Sequence, residues 1–414
     1  MFITEKMQRK NPNPEADIEV SVVMPCLNEE ESIAFCINMI KTSFARHGIK
    51  GEIIVVDNDS TDDSLAIAKA NGAKVVVEKE RGYGNAYKTG IAIAQGRYII
   101  MGDSDGTYDF SMIGDFVDAL RQGNAFVTGS RKLGEIRRGA MPWFHQYFGN
   151  PMLTRLLNLL FHSDYTDVYC GLRGFSKEAY DLIRPISSGM EYNLELAINA
   201  AKAKLKICEI PITLNPRVGG KSKLSTFSDG WRSLRFMLLY FPSRLFFIPG
   251  LALVIFGMVF LIGLFFADME MSGKGVKPII MLAGSIMTII GVQIFSLGLY
   301  TKTFATIRKY EQENRFLKRF YRFLDLRKGM SIGLATFSVG VSICIYLLIG
   351  WISRGFTSGA NLDLSLIALT LLSIGVQMMF SSIYVSLLSL ERGGGKGAIY
   401  SETNDGHGAM DMDI

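Results

Sequence analysis

The triplet Asp103-Ser104-Asp105 follows the apolar run Tyr98–Gly102 and sets two carboxylates one residue apart where a strand ends. Oxygen donors in that arrangement suit a hard divalent cation, Mg2+ or Mn2+, which takes few protein ligands and keeps substrate phosphates among the rest. Such a cation offsets the negative charge that grows on a departing diphosphate. Alone, the triplet fits a plain turn equally well, because aspartate is common in turns. Two more polar segments tip the balance: Asp57-Asn58-Asp59-Ser60-Thr61-Asp62 closes the run Glu52–Asp57, and Pro25-x-x-Asn28-Glu29 closes Val20–Pro25. Further along stand Arg131, Arg217 and Lys221-Ser222-Lys223. Arginine recognises phosphate as a fork and lysine as a point charge. A solvated basic surface is the bland alternative for these cations.

Elements must bring those segments together. Apolar runs at Val20–Pro25, Glu52–Asp57, Ala73–Val77 and Tyr98–Gly102 alternate with helical patterns at Glu30–Phe44, Asp62–Asn71 and Tyr83–Gln95. Alternation of this kind predicts an α/β fold with a largely parallel sheet covered on both faces. Ligands then sit beyond the carboxyl ends of the strands, where the three polar segments fall.

The second half of the chain has another character. With 20% charged residues over 414, the mean hydropathy is still +0.22, because apolar residues are concentrated in four stretches. These are 248–267, 278–300, 331–351 and 364–390, each long enough for a membrane-crossing helix of roughly 20 residues. They hold no Asp, Glu, Lys or Arg in their interiors, which argues against a pump or channel. The loop 301–330 carries Lys302, Arg308, Lys309, Arg315, Lys318, Arg319, Arg322, Arg327 and Lys328, against Lys274, Lys277 and Arg354 in the other two loops. The positive-inside rule places that loop, both termini and the front half in the cytoplasm, next to anionic lipid rather than nucleic acid. No apolar run follows the basic residues of the N-terminus, so no cleaved leader is expected. The five scattered cysteines read as reduced thiols without a catalytic role. Asn150–Phe161 and Trp231–Phe247 mix leucine, aromatics and arginine as interfacial helices do, although a core helix is the alternative for the first. No internal repeat stands out.

Taken together, VVMPCLNEEESI, EIIVVDNDSTDDS and MGDSDGTYD resemble the successive strand-end motifs of a family 2 glycosyltransferase of GT-A fold. FVTGSR (Phe126–Arg131), DVYCGLRGF (Asp167–Phe175) and NPRVGGKSKLS (Asn215–Ser225) are similar to the polyprenyl- and dolichyl-phosphate hexose synthases, so the resemblance spans about residues 18–240. It implies a Rossmann-like catalytic domain at 18–224, and composition adds a flexible 1–17, an interfacial amphipathic segment at 225–247, a four-helix membrane region at 248–390, and a disordered tail at 391–414.

The resemblance also implies roles. Pro25, Asn28, Glu29 and Asp57 line the nucleotide pocket. Asp103 and Asp105 address ribose, diphosphate and metal, whereas Arg131, Arg173, Arg217, Lys221, Ser222 and Lys223 gather at the donor diphosphate and lipid phosphate. The implied partners are a nucleotide-sugar, with UDP-glucose first and GDP-mannose or UDP-N-acetylglucosamine behind, a polyprenyl phosphate (undecaprenyl or dolichyl), and membrane lipids; a homo-oligomer stays open. Anomeric inversion is implied as well. A phosphate monoester is largely dianionic at neutral pH, so no general base is assigned, and Glu191 and Glu195 are the candidates should one exist. Thr107 stands where many dolichyl-phosphate mannose synthases carry a metal-binding Gln. Near the first interfacial helix, His145, Gln146, Arg137 and Arg138 stand where those enzymes have a basic residue. Two rival readings are weaker. A processive polysaccharide synthase would carry Gln-x-x-Arg-Trp, while Trp231-Arg232 here is reversed and lacks the Gln; an inactive lipid-binding scaffold would not need the aspartate triplet.

Overall fold

The computed structural model describes residues 18–219, 226–240, 243–266, 276–307, 326–355 and 361–390. They fall into two compact units that divide between Met237 and Leu238.

The first unit is built on a seven-stranded sheet of order β3-β2-β1-β4-β6-β5-β7. Its strands are β1 (Val20–Cys26), β2 (Gly51–Asp57), β3 (Lys74–Val77), β4 (Tyr98–Met101), β5 (Phe126–Ile136), β6 (Arg173–Ser176) and β7 (Ile207–Leu214). Most pairs are parallel, as the alternating pattern predicts. β6 is the exception and runs antiparallel between β4 and β5, a reversal that four short residues do not announce. Helices α1 (Ile33–His47), α2 (Ser64–Ala70), α3 (Tyr83–Ile93), α4 (Ile113–Arg121), α5 (Asn150–Phe161), α6 (Lys177–Ile183) and α7 (Glu191–Lys202) complete it. Core residues of α1 and α4 pack on one face of the sheet, while those of α3, α6 and α7 pack on the other.

Side chains from β1, β2 and β4 are buried on both faces, which explains their unbroken apolar runs. These three strands are neighbours, with Cys26 opposite Asp57 and Val23 opposite Met101. The register therefore delivers all three polar segments to one rim. α1 starts at Ile33 rather than Glu30, because Asn28 takes a left-handed conformation (φ 55°) and the turn after it is spent on contacts to the β2 loop.

Helix α8 (Thr226–Leu239) follows the sheet. The second unit contains α9 (Ile248–Phe266), α10 (Val276–Ile307), α11 (Leu326–Ser353) and α12 (Leu362–Leu390), and four segments in them are long and apolar enough to cross a membrane: Leu245–Phe266, Val276–Ile307, Arg327–Ser353 and Leu362–Leu388. α10 continues through residues 301–307, which the sequence assigned to the basic loop, and there Lys302 is buried. Residues 308–325 of that loop lie outside the described residues, as do 1–17 and 391–414.

Candidate active site

At the rim, the loop after β1 is laced to the loop after β2. Asn28 N–H donates to Ser60 Oγ (3.0 Å), Thr61 N–H donates to Asn28 Oδ1 (2.8 Å), and Glu29 N–H donates to Ser64 Oγ (2.8 Å). Asp57 is buried and accepts the amides of Asp59 and Ser60. Asn58 ties in β3 and α3 by donating to the carbonyls of Glu78 and Glu80 and accepting from Gly82 N–H at 2.7 Å.

The loop after β4 is fixed as closely. Ser104 donates to the Pro25 carbonyl (2.6 Å) and its own carbonyl accepts from Ser32 Oγ (2.7 Å), so the residue between the two aspartates is a structural pin. Asp103 Oδ1 accepts from Tyr83 (2.8 Å) and Tyr87 (3.3 Å), and Tyr83 in turn accepts from Asn193 Nδ2 (2.9 Å). Asp105 Oδ1 accepts from the amide and hydroxyl of Thr107 (3.0 and 2.6 Å), so Thr107 orients this carboxylate. Arg217 pairs with Glu29 and stands 3.3 Å from the other Asp105 oxygen, joining the first and third polar segments. Backbone bonds from Val218 to Asp105 and from Asn215 to Thr107 hold the arginine's segment in place.

Burial and the neighbouring Asp105 carboxylate push Asp103 up to about 7. A carboxylate whose charged form is disfavoured by burial and by a like-charged neighbour favours an added positive charge. The donor set is hard oxygen throughout. Room for an ion is kept by Gly171, where a Cβ would sit 3.0 Å from Asp103 Oδ2. Among the described residues no cluster of three or more His, Cys, Asp or Glu converges. A Mg2+ or Mn2+ ion thus fits Asp103 and Asp105 as part of its shell, with the remainder open to phosphate and water.

Several sequence expectations change on contact with the structure. Arg131 is not a free cation: it is buried, and its Nε and NH2 donate to Asp167 at 2.6 and 2.8 Å. Arg173 is fully buried and donates to the carbonyls of Cys170, Val168 and Asn193. Both arginines brace the 167–173 segment that packs behind the aspartates, which corrects the expectation that they meet phosphate. Glu195 is buried and accepts the amides of Ile186 and Ser187 (3.0 and 2.8 Å), which explains its presence without a base role. Arg137 and Arg138 are exposed, and His145 is half-buried. Lys221, Ser222 and Lys223 lie outside the described residues. Burial pushes the Cys26 thiol up to about 11, and Cys36 and Cys170 up to about 12, far from nucleophilic thiolates. Asp167 opens the DVYCGLRGF stretch but had no role assigned from sequence, and Tyr83, Tyr87 and Asn193 carry no motif of their own; only the Gly82-Tyr83-Gly84 triplet, with Gly82 at φ 148°, hints at a constrained backbone.

α5 has one buried and one exposed face. Leu153, Thr154 and Leu157 are buried against the domain, while Met152, Arg155 and Leu159 face outward. Ahead of it, Trp143, Phe144, Tyr147 and Phe148 are all more than half exposed and pack on one another.

Residues 21–184 match the glycosyl transferase family 2 model, and residues 299–389 match the family 2 C-terminal transmembrane region. The low-salt glycan biosynthesis hexosyltransferase Agl6 of Haloferax volcanii is 35% identical over 370 residues, 89% of either chain. The chain belongs to glycosyltransferase family 2. Within that family, the dolichyl-phosphate hexose transferase of Haloferax volcanii is 29% identical over 215 residues, 51% of this chain and 89% of its own. The solved glucosyl-3-phosphoglycerate synthase of Mycobacterium tuberculosis, with Mn2+, UDP and glucosyl-3-phosphoglycerate, superposes at a TM-score of 0.44 with 22% identity, covering 55% of this family 2 chain and 85% of that one. The protein is thus a GT-A glycosyltransferase with a membrane-spanning C-terminal region.

Proposed function

We propose that the enzyme transfers a hexose, glucose from UDP-glucose in the first instance, to the phosphate of a polyprenyl lipid with inversion at the anomeric carbon. The observation that carries this reading is the junction of Glu29, Arg217, Asp105 and Asp103 at the ends of adjacent strands, in a chain with four candidate spans. The relatives' names, a hexosyltransferase and a dolichyl-phosphate hexose transferase, support the same class.

Pro25, Asn28, Glu29 and Asp57 form the nucleotide side of the site in this reading. Asp103 and Asp105 would hold Mg2+ or Mn2+, which when bound supplies positive charge to the departing diphosphate. Arg217 adds a second cation beside Asp105, and Lys221, Ser222 and Lys223, nearby in sequence, complete the phosphate contacts. The acceptor arrives already ionised, so the residues need only orient it and balance charge between two anions. The exposed aromatics before α5 and its outward apolar face suit a headgroup layer, where such rings concentrate. The catalytic domain and both termini are cytoplasmic in this account, following the basic excess in the loop after the second span.

Incubation of purified enzyme with UDP-glucose, GDP-mannose or UDP-N-acetylglucosamine, a divalent cation, and undecaprenyl or dolichyl phosphate tests the proposal. Nucleoside diphosphate release that depends on the lipid phosphate supports it. Release that is indifferent to the lipid overturns the acceptor assignment.

A further inference from the structure

The second unit contains a repeat that its apolar composition conceals. Gly250-Leu251-Ala252 lies in α9 and Gly333-Leu334-Ala335 lies in α11, each with a further glycine seven residues after the first, Gly257 and Gly340. Ile290-Gly291-Val292-Gln293 in α10 recurs as Ile374-Gly375-Val376-Gln377 in α12, each followed by a tyrosine nine residues after its glycine, Tyr300 and Tyr384. Small residues seven positions before those glycines, Gly284 and Ala368, also correspond. Matching glycines alone would be weak, since helices in membranes often meet at small residues.

The packing repeats as well. A Cβ on Gly291 would lie 2.7 Å from Val254 N and 2.8 Å from Gly250 O; on Gly375 it would lie 2.6 Å from Phe337 N and 2.8 Å from Gly333 O. One on Gly250 would meet Phe295 N and Gly291 O at 2.8 and 3.0 Å, and one on Gly333 would meet Met379 N and Gly375 O, both at 2.9 Å. Val254 and Phe337 each stand four residues after the first glycine, and Phe295 and Met379 each stand four after the second. Corresponding residues thus make corresponding contacts in two hairpins that differ in most side chains.

From this we infer that the membrane unit is a fused pair, α9–α10 and α11–α12 being two copies of one helical hairpin that recognise each other through α10 and α12. At the seam, Tyr300 meets its own counterpart Tyr384 edge to face, ring centroids 4.7 Å apart. Tyr300 also donates to Ser381 Oγ (2.6 Å), Ser381 lies 3.4 Å from Ser296, and Ser285 bonds Thr370 at 2.6 Å. Contact between equivalent residues is the mark of a self-complementary surface, and such a surface closes on one partner. The partner here is the second copy within the chain, so the seam is satisfied internally.

Two experiments on the full chain test this, the first in membranes and the second in detergent. In a variant lacking Cys344, Ser296→Cys with Ser381→Cys should form a disulfide within one chain, keeping fragments together after cleavage at a protease site engineered between the hairpins until reductant is added. Disulfide-linked dimers of whole chains, or no disulfide, would overturn the closed seam. Separately, Gly291→Ala and Gly375→Ala should lower the melting temperature in detergent by similar amounts, whereas Gly263→Ala, facing open space, should leave it unchanged. A Gly375→Ala protein as stable as the Gly263→Ala protein would overturn the repeat.

Discussion

Tyr83 donates its phenolic hydrogen to Asp103 across 2.8 Å, although neither residue type nor spacing links them in the sequence. The bond fixes the carboxylate from behind, and Asn193 fixes the tyrosine. Hydrogen bonds to charged groups contribute about 1.5 to 3 kcal/mol. Tyr83→Phe should therefore weaken Mn2+ binding roughly 10- to 100-fold. Titration of the purified variant with Mn2+ checks this, and an unchanged affinity would show that Tyr83 does not orient the metal-facing carboxylate.

Arg217 bridges Glu29 and Asp105, and only a fork with several donors spans both. Arg217→Lys should retain one contact and lose at least roughly tenfold in kcat, because one half-buried carboxylate loses its charge-assisted hydrogen bond. Arg217→Ala should lose more. Parent-level rates in both variants would mean that charge and fork geometry both count for little, and equal losses in the two would mean that the lysine charge contributes nothing without the fork.

Gly171 gives Asp103 its space. In Gly171→Ala the new methyl would press on Asp103 Oδ2 and the Tyr108 hydroxyl, each 3.0 Å from the Cβ position. Displacement of a reacting group by about 1 Å costs up to a hundredfold in rate. A large fall in transfer with an unaltered melting temperature is expected, and full activity would place the chemistry elsewhere.

The pair Arg131 and Asp167 predicts acid behaviour. Burial works against the Asp167 carboxylate, but the Arg131 charge and hydrogen bonds outweigh it and hold the group below its ordinary value. A depressed acid stabilises the fold above its unfolded pKa of about 3.9, and that contribution is lost as pH falls through the lower folded value. Asp167→Asn should therefore destabilise the protein most at neutral pH, by about 3 to 5 kcal/mol for a broken buried pair, with the gap narrowing below about pH 4. Urea titrations of both proteins from pH 3 to 7 measure this; a gap constant with pH would remove the ion pair from the account.

The sequence made some of this legible and hid the rest for physical reasons. β1, β2 and β4 announce themselves because strands buried on both faces must be continuously apolar, and their polar ends mark the rim. β6 does not, since RGFS is too short to show a period. Asp103 and Asp105 are visible as a triplet, whereas Tyr83 and Asn193 reach the site from α3 and α7, positions that only the packing of helices on the sheet determines. Arg131 and Arg173 misled because a phosphate-binding arginine and a buried one look alike until their partners are known. The hairpin repeat escaped for a related reason: apolar side chains in a membrane interchange freely, so only glycines at close contacts, the Gln and the seam tyrosines kept its trace.

The most direct measurement is nucleoside diphosphate release by the Asp105→Asn enzyme, reconstituted in vesicles with a polyprenyl phosphate, UDP-glucose and Mn2+. The account predicts release stimulated by the lipid phosphate in the parent enzyme and reduced to background in the variant, with all four spans still inserted. Release by Asp105→Asn at the parent rate would contradict it.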